Sequence, residues 1–336
     1  RWCGPRILFA ARPQVLRRSS LVDDDRTTAE AYLSTLGFSD SELRKAKTRY
    51  GGRFDPDMNS KIKPLLLWLS ELGMTDLDVS KVVVACPMAF HSRLEEVSKP
   101  VVARMKELGI NDSQVIKLVV KFPPLITYSL EGVWTPKLQW LNQLGMDDSQ
   151  VAKTIMKYPS LMGCSLDDNL KQKVQWLKEL GMDDSQLAKI IMRHPRLMSY
   201  SLEENLKPMV HWLKKLGMND EQVVKMIAKF PQVIGSYSLQ ENLEPKVHWL
   251  KELGMDDAQM AKTITTFPHL MGLSFEGNLK PTVEVFREYD FTDSQIVQVI
   301  SRFPPLVGYS SKRLEHRMGV VKAAGFLPDQ WSWSFM

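Results

Sequence analysis

A repeat of 36 residues recurs along this chain and constrains its fold more than any other feature of the sequence. One clear copy runs from Asp183 to Leu216, and two of its positions, glycine and proline, mark the register. Besides Gly181 and Pro195, the equivalents are Gly37, Gly73, Gly109, Gly145, Gly217 and Gly254, and Pro87, Pro123, Pro159, Pro231, Pro268 and Pro304. The spacing is 36 throughout except for one 37, where Ser236 lengthens GYS to GSYS. A period in this range predicts a solenoid.

Each repeat carries signals for two helices and a brief third element. Pro208 is placed to open a first helix, and Gly217 to end it in the left-handed conformation. Asn219 with Gln222 forms a capping box at the start of a second helix, which Pro231 stops. The box recurs as Asn111/Gln114, Asp147/Gln150, Asp183/Gln186, Asp256/Gln259 and Thr292/Gln295. The sequence thus predicts an all-α solenoid of helical repeats, whose handedness it does not give. The paired aspartates of DDSQ are interpreted as helix caps, not as a catalytic dyad.

The ends of the chain differ in composition from the repeats. Residues 1–22 contain five arginines and no acid, which predicts an organelle transit peptide that is disordered, with a disordered basic tail as the alternative. Residues 23–336 are predicted to form a single repeat array. Its N-terminal repeat, 27–62, is degenerate and typical of a cap, and a last helix, 311–326, is expected to cover the other end.

Charge, cysteine content and hydropathy exclude several classes of protein. The chain has 44 Lys+Arg and 39 Asp+Glu, so without the five leader arginines the array is net neutral. Any binding to a polyanion must then come from segregation of the two signs onto different faces. Cys3, Cys86 and Cys164 are scattered, which indicates neither a disulfide framework nor a zinc site. No apolar run approaches the ~18 residues of a membrane span, so no membrane partner is expected.

Basic residues recur on one side of the second helix. With Val151 at zero and 100° per residue, the apolar side chains fall on one arc, and Lys153 and Lys157 lie near 200° and 240°, on the opposite side. Because stacked repeats place equivalent residues in register, eleven such residues predict a basic ladder that binds nucleic acid. Its first column is Lys81, Lys117, Lys153, Lys189, Lys225 and Lys262, and its second column is Lys121, Lys157, Arg193, Lys229 and Arg302. The alternative is ordinary solubilising surface that duplication of the repeat has copied.

The other recurring polar and aromatic positions are weaker candidates. The first helices carry Lys106, Lys178, Lys214, Lys251 and Arg287, and seven residues earlier Lys99, Lys171, Lys207 and Lys280. A tryptophan column, Trp68, Trp140, Trp176, Trp212 and Trp249, is compatible with base stacking, but its place at the rim of the apolar arc favours packing between repeats. His211 and His248 share a column with glutamines, so no metal site is predicted. Since no catalytic motif occurs, we expect no enzyme, no cofactor and no small-molecule substrate.

The period, the LGM motif before a capped helix, and the helix-ending segments KFPPLITYS, KYPSLMGCS, RHPRLMSYS and RFPPLVGYS resemble the mitochondrial transcription termination factor family, mTERF. The resemblance covers nearly the whole chain beyond residue 27. It implies a left-handed superhelix of triple-helical repeats, import into an organelle, and binding of double-stranded nucleic acid along a basic groove to control transcription or its termination. Some relatives act instead in organelle RNA splicing or ribosome assembly.

Three functions follow as hypotheses. The first is a monomer that binds duplex DNA in a mitochondrion or, second in preference, a chloroplast, and regulates or terminates transcription. The second is RNA binding in intron splicing or ribosome maturation, and the third is a protein-binding scaffold. The basic columns barely vary between repeats, which favours contact with the phosphate backbone over base readout. The family's best-understood DNA binder uses arginines for base recognition, whereas this ladder is almost all lysine, so sequence-specific termination is not predicted.

Overall fold

A computed structural model describes residues 33–34, 37–50, 58–236 and 238–323. The predicted leader, residues 1–22, and the end of the predicted last helix, beyond residue 323, lie outside these described residues. Contacts divide the chain into an N-terminal part through Leu166 and a C-terminal part from Asp167. Each part is all-α, and no strand occurs among the described residues. The predicted fold class, an all-α array of repeated helix pairs, is confirmed, and the handedness implied by the resemblance stays a prediction.

First and second helices alternate along both parts. The N-terminal part contains α1 (Asp40–Tyr50), α2 (Lys63–Glu71), α3 (Asp76–Ala85), α4 (Lys99–Glu107), α5 (Asp112–Lys121), α6 (Thr135–Gln143) and α7 (Asp148–Lys157). The C-terminal part contains α8 (Gln172–Glu179), α9 (Asp184–Arg193), α10 (Lys207–Lys215), α11 (Asp220–Lys229), α12 (Val233–Ser236), α13 (Glu244–Glu252), α14 (Asp257–Thr266), α15 (Lys280–Glu288), α16 (Asp293–Arg302) and α17 (Ser311–Ala323). None of the described helices is long and apolar enough to cross a membrane.

Backbone geometry confirms the predicted ends of the first helices and starts of the second helices, whereas the helix predicted to open at Pro208 continues from helical backbone that begins at Leu202. The seven repeat glycines have φ between 85° and 102°, and the Gly181 and Met182 amides donate back to the Lys178 and Leu177 carbonyls at 2.8 and 3.1 Å. This pairing is the helix-ending arrangement that glycine permits because it lacks a Cβ. In the last repeat Asp290 adopts the same conformation, with φ 64°. All six predicted capping boxes form, and further boxes join Thr75 to Asp78 and Ser39 to Glu42.

The third element consists of two short turns. Proline starts a 3₁₀ turn at Pro87–His91, Pro123–Thr127, Pro159–Gly163, Pro195–Ser199, Pro268–Gly272 and Pro304–Gly308. A π-helical turn follows and continues without a break into the next first helix, as Leu202–Leu206 continues into α10. The repeat of 37 residues differs, because the α-helical turn α12 replaces the 3₁₀ turn after Pro231.

Stacking of equivalent elements forms the core of each part. In the N-terminal part α1 packs against α3 and α3 against α5, and in the C-terminal part α11 packs against α14 and α14 against α16. The 3₁₀ turns also pack on those of neighbouring repeats. The apolar arc of each second helix is buried, as Val151, Ala152 and Ile155 of α7 illustrate. The opposite side of each second helix is therefore left for solvent or a ligand.

Candidate functional site

All eleven residues of the basic ladder lie on second helices, and all eleven are exposed. Residues four apart in a helix lie about one turn apart on the same side, so each repeat presents its two columns together. Five ladder residues belong to the N-terminal part and six to the C-terminal part. Because second helices pack on one another within each part, the structure brings equivalent residues onto neighbouring helices there.

The first column keeps most of its charge unpaired. Among the described residues, Lys117, Lys153 and Lys262 make no hydrogen bond or ion pair. The exceptions in this column are Lys81, 3.8 Å from an Asp78 carboxylate oxygen, and Lys225, 2.7 Å from one of Glu221.

Lys189 belongs to the same column and lies close to Asp183, whose carboxylate already accepts a backbone hydrogen bond. The backbone amide of Gln186 lowers the pKa of the Asp183 carboxyl, and the charge of Lys189 contributes to the same shift. Since the Asp183 carboxylate caps α9, its oxygen is committed to the Gln186 amide at 2.8 Å. Lys189 is exposed and forms no salt bridge among the described residues.

The lysines at the ends of the first helices, by contrast, are neutralised. Each pairs with the aspartate that opens the next helix, six residues further on. The distances are 2.5 Å for Lys106–Asp112, 2.6 Å for Lys178–Asp184, 2.5 Å for Lys214–Asp220, 2.5 Å for Lys251–Asp257 and 3.0 Å for Arg287–Asp293. Such exposed pairs contribute only about 0–1 kcal/mol each to stability, but they cancel the local positive charge.

The earlier lysine column of the first helices is neutralised in the same way. Each of its members pairs with an acid four residues before it in the π-helical turn. The pairs are Lys99–Glu95, Lys171–Asp167 at 2.7 Å, Lys207–Glu203 at 2.5 Å and Lys280–Glu276 at 2.7 Å. The lysines of the two first-helix columns must therefore leave a carboxylate before they can bind a ligand. In most repeats the ladder lysines need not.

Two members of the second column, Lys121 and Lys229, contact backbone carbonyls at the end of a neighbouring second helix. Lys121 donates its Nζ to the carbonyls of Lys157 and Met156 at 3.0 and 3.4 Å. Lys229 reaches the Thr265 carbonyl at 3.5 Å. Arg49, at the same register in the N-terminal repeat and not predicted as a ladder residue, donates to the Val84 carbonyl at 2.8 Å.

The tryptophan column packs between elements, as its place on the rim of the apolar arc predicted. Trp68 and Trp140 are buried, and Trp249 meets Phe275 edge to face with ring centroids 5.3 Å apart. His211 and His248 are exposed, and His248 Nε2 lies 3.2 Å from a Glu252 carboxylate oxygen. No group of three potential metal ligands is present in the described part of the chain.

Three buried lysines were not predicted from the sequence. Lys137, Lys173 and Lys246 are at most 5% exposed, and each donates its Nζ to the carbonyl of a methionine 25 residues further on, in the third element of the same repeat. Burial lowers the pKa of the Lys137 and Lys246 ammonium groups. The residues at this position of successive repeats could have indicated that the lysines are buried. They are Leu65, Val101, Lys137, Lys173, Met209, Lys246 and Thr282. Three of the four residues that replace lysine in this column are apolar, which indicates a buried site.

Comparison with known proteins matches one family model. The model described as mTERF matches residues 66–325, which include the complete ladder. A search of curated proteins gives no match.

Proposed function

Because the chain belongs to the mTERF family, whose members are organellar nucleic-acid-binding proteins, we propose that it binds double-stranded DNA through the basic ladder and regulates or terminates transcription in an organelle. The mitochondrion is the compartment we favour over the chloroplast. Within the proposal, residues 1–22 act as the import signal, residues 23–336 form one array, and the protein acts as a monomer without a cofactor or catalytic activity.

One observation carries the proposal. The ladder's first column holds exposed ammonium groups, most of them without a carboxylate partner, in both parts of the chain, whereas the two lysine columns of the first helices are paired with acids throughout. A net-neutral array therefore still segregates available positive charge onto one side of its second helices. Lysines so placed can neutralise phosphates and release condensed counterions, which is the main source of affinity for a duplex.

The same column favours backbone contact over base readout. It is lysine in six successive repeats, from Lys81 to Lys262, and a set of side chains that does not vary cannot distinguish a varying sequence of bases. Lysine also lacks the planar fork with which arginine recognises guanine in the major groove. We therefore propose binding with little sequence preference. Binding of RNA in splicing or ribosome maturation and binding of a protein partner remain the alternatives.

The test compares two variants that lose the same charge. The ladder variant carries Lys117→Gln, Lys153→Gln, Lys189→Gln and Lys262→Gln, and the control carries Lys106→Gln, Lys178→Gln, Lys214→Gln and Lys251→Gln. For 6–8 phosphate contacts, log K of the wild type against log salt should slope at about −5 to −7 on duplex DNA. The ladder variant should lose about 3–4 units of slope, because four contacts disappear. The control should lose less than one unit.

Electrophoretic shifts across a salt series on duplex DNA, duplex RNA and both single strands separate the alternatives. Circular dichroism should show that both variants keep the wild-type helix content, since all eight lysines are exposed. Equal slopes for the two variants would contradict the role of the ladder. Tighter binding to RNA than to duplex DNA at every salt concentration would support the RNA alternative. Binding that is absent or insensitive to salt for the wild type on every nucleic acid would leave the protein scaffold as the better account.

The leader has its own test. Mass spectrometry of the protein recovered from the organelle should find a mature N-terminus near residues 20–30, because the acid-free segment ends before Asp23. A variant that lacks the segment should bind duplex DNA as the full chain does. An intact leader on the imported protein, or binding lost on its removal, would contradict this part of the proposal.

A further inference from the structure

We infer that the two columns of the basic ladder do different work: the first column contacts the phosphate backbone, and the second column joins second helices to the ends of their neighbours within each part of the chain. The inference rests on the proposed function for the first column only, and it removes the second column from the residues proposed to contact DNA. The second column's role is a matter of contacts within the protein. It follows from three contacts at one register and divides the ladder into binding residues and positioning residues.

The contacts repeat at a fixed spacing. Lys121 of α5 reaches the last two carbonyls of α7, 35 and 36 residues away, and Lys229 of α11 reaches the last turn of α14, 36 residues away. Arg49 of α1 reaches the last turn of α3, 35 residues away. The same contact therefore forms in both parts of the chain, with lysine and with arginine. A side chain that wandered freely in solvent would not select the same acceptor in three repeats.

The acceptors lack helical donors of their own. Pro159 prevents α7 from continuing. In a continued helix the Leu161 amide would donate to the Lys157 carbonyl, but here it donates to the Tyr158 carbonyl. The carbonyls of a last turn carry the negative end of the helix dipole and need an external donor. An ammonium or guanidinium from the preceding repeat supplies that donor and a compensating positive charge.

The first column has no such acceptor within reach. Its members lie one turn earlier, beside the middle of the helix, where the backbone carbonyls already accept helical amides. Lys117 and Lys262 accordingly make no hydrogen bond or ion pair in the described part of the chain. A phosphate can bind them without displacing an existing partner. By fixing the ends of successive second helices to one another, the second column also fixes the spacing between first-column ammonium groups.

Two double variants with equal loss of charge test the division. Lys117→Met with Lys262→Met removes one first-column residue from each part of the chain, and Lys121→Met with Lys229→Met removes one second-column residue from each. Methionine keeps an unbranched stem of similar length and removes the charge. Salt-dependent binding to duplex DNA, thermal melting and amide hydrogen exchange are measured for both.

The first-column variant should lose about 2 units of salt slope and keep the wild-type melting temperature. The second-column variant should keep the wild-type slope, melt at a lower temperature, and exchange the amides in the last turns of α7 and α14 about two- to fivefold faster. Lys121→Arg with Lys229→Arg should restore melting and exchange, as Arg49 makes the same contact naturally.

The inference is overturned if the second-column variant loses as much slope as the first-column variant, whatever its melting temperature, because both columns would then contact phosphate. It is also overturned if melting and exchange do not change. Failure of the proposed function looks different. In that case the wild type shows no salt-dependent binding, while the melting and exchange data still decide whether the second column holds the helix ends.

Discussion

Replacement of Lys246 by methionine tests whether the buried lysines stabilise the repeats. The Lys246 side chain is 2% exposed, and its Nζ donates to the Asn242 Oδ1 at 2.6 Å and to the Met271 carbonyl at 2.7 Å. It therefore connects the π-helical turn, α13 and the 3₁₀ turn of one repeat. Methionine fits this position, because Met209 occupies the equivalent place and is buried there.

The magnitude follows from the groups that lose their partners. A buried acceptor left without a donor costs about 1–3 kcal/mol, which applies to the Met271 carbonyl, whereas the half-buried Asn242 side chain can turn to water and adds less. Methionine recovers part of this, since the buried ammonium itself carries a desolvation penalty of several kcal/mol. We expect a net loss of about 1–2 kcal/mol at pH 7. For a region of this size the melting temperature should fall by about 2–8 °C.

The effect should depend on pH with a defined sign. Burial lowers the pKa of Lys246, so the folded protein releases this proton at a lower pH than the unfolded chain does. Between the two pKa values the unfolded state binds more protons, and the stability of the wild type rises with pH across this alkaline window. The methionine variant lacks this rise. The difference between the two proteins should consequently grow as the pH approaches the ordinary lysine value.

The assay is urea unfolding followed by circular dichroism at pH 7 and at two higher values below 10. Lys251→Met is the matched control, because Lys251 lies on the same helix and forms an exposed pair with Asp257 that contributes about 0–1 kcal/mol. A loss for Lys246→Met no larger than that of the control would refute the reasoning. So would a difference that shrinks as the pH rises.

Two further substitutions test the helix ends. Asp147→Ala removes the carboxylate that accepts a hydrogen bond from the Gln150 amide at 2.8 Å. Urea unfolding should show a loss of about 1 kcal/mol in the free energy of unfolding, and the affinity for duplex DNA should not change. Loss of binding without loss of stability would contradict the role of Asp147 as a helix cap. Asp290 is the only non-glycine residue with a positive φ in the described chain, and Asp290→Gly should raise the free energy of unfolding by about 0.5–1 kcal/mol. Asp290→Asn is the control and should be nearly neutral, because asparagine tolerates this conformation. A destabilised glycine variant would show that Asp290 does more than end its helix.

The sequence by itself determined the secondary structure and the exposed side of each second helix. Glycine with positive φ, proline and the capping box act within a few residues, so their effect on helix ends does not need the rest of the chain. The 100° spacing likewise places Lys153 opposite Val151 wherever α7 packs. For this reason the ends of the first helices, the starts of the second helices and the exposure of the ladder could be predicted.

Only the tertiary structure decided which lysines are available to a ligand. Lys153 and Lys178 look alike in sequence as exposed helical lysines, but the turn after α8 brings Asp184 to within 2.6 Å of Lys178. Lys173 is buried because a carbonyl 25 residues further on comes to meet it, and Lys121 meets a helix end 36 residues away. The charge that a side chain presents depends on its neighbours in space, and those are set by how the turns and repeats pack on one another.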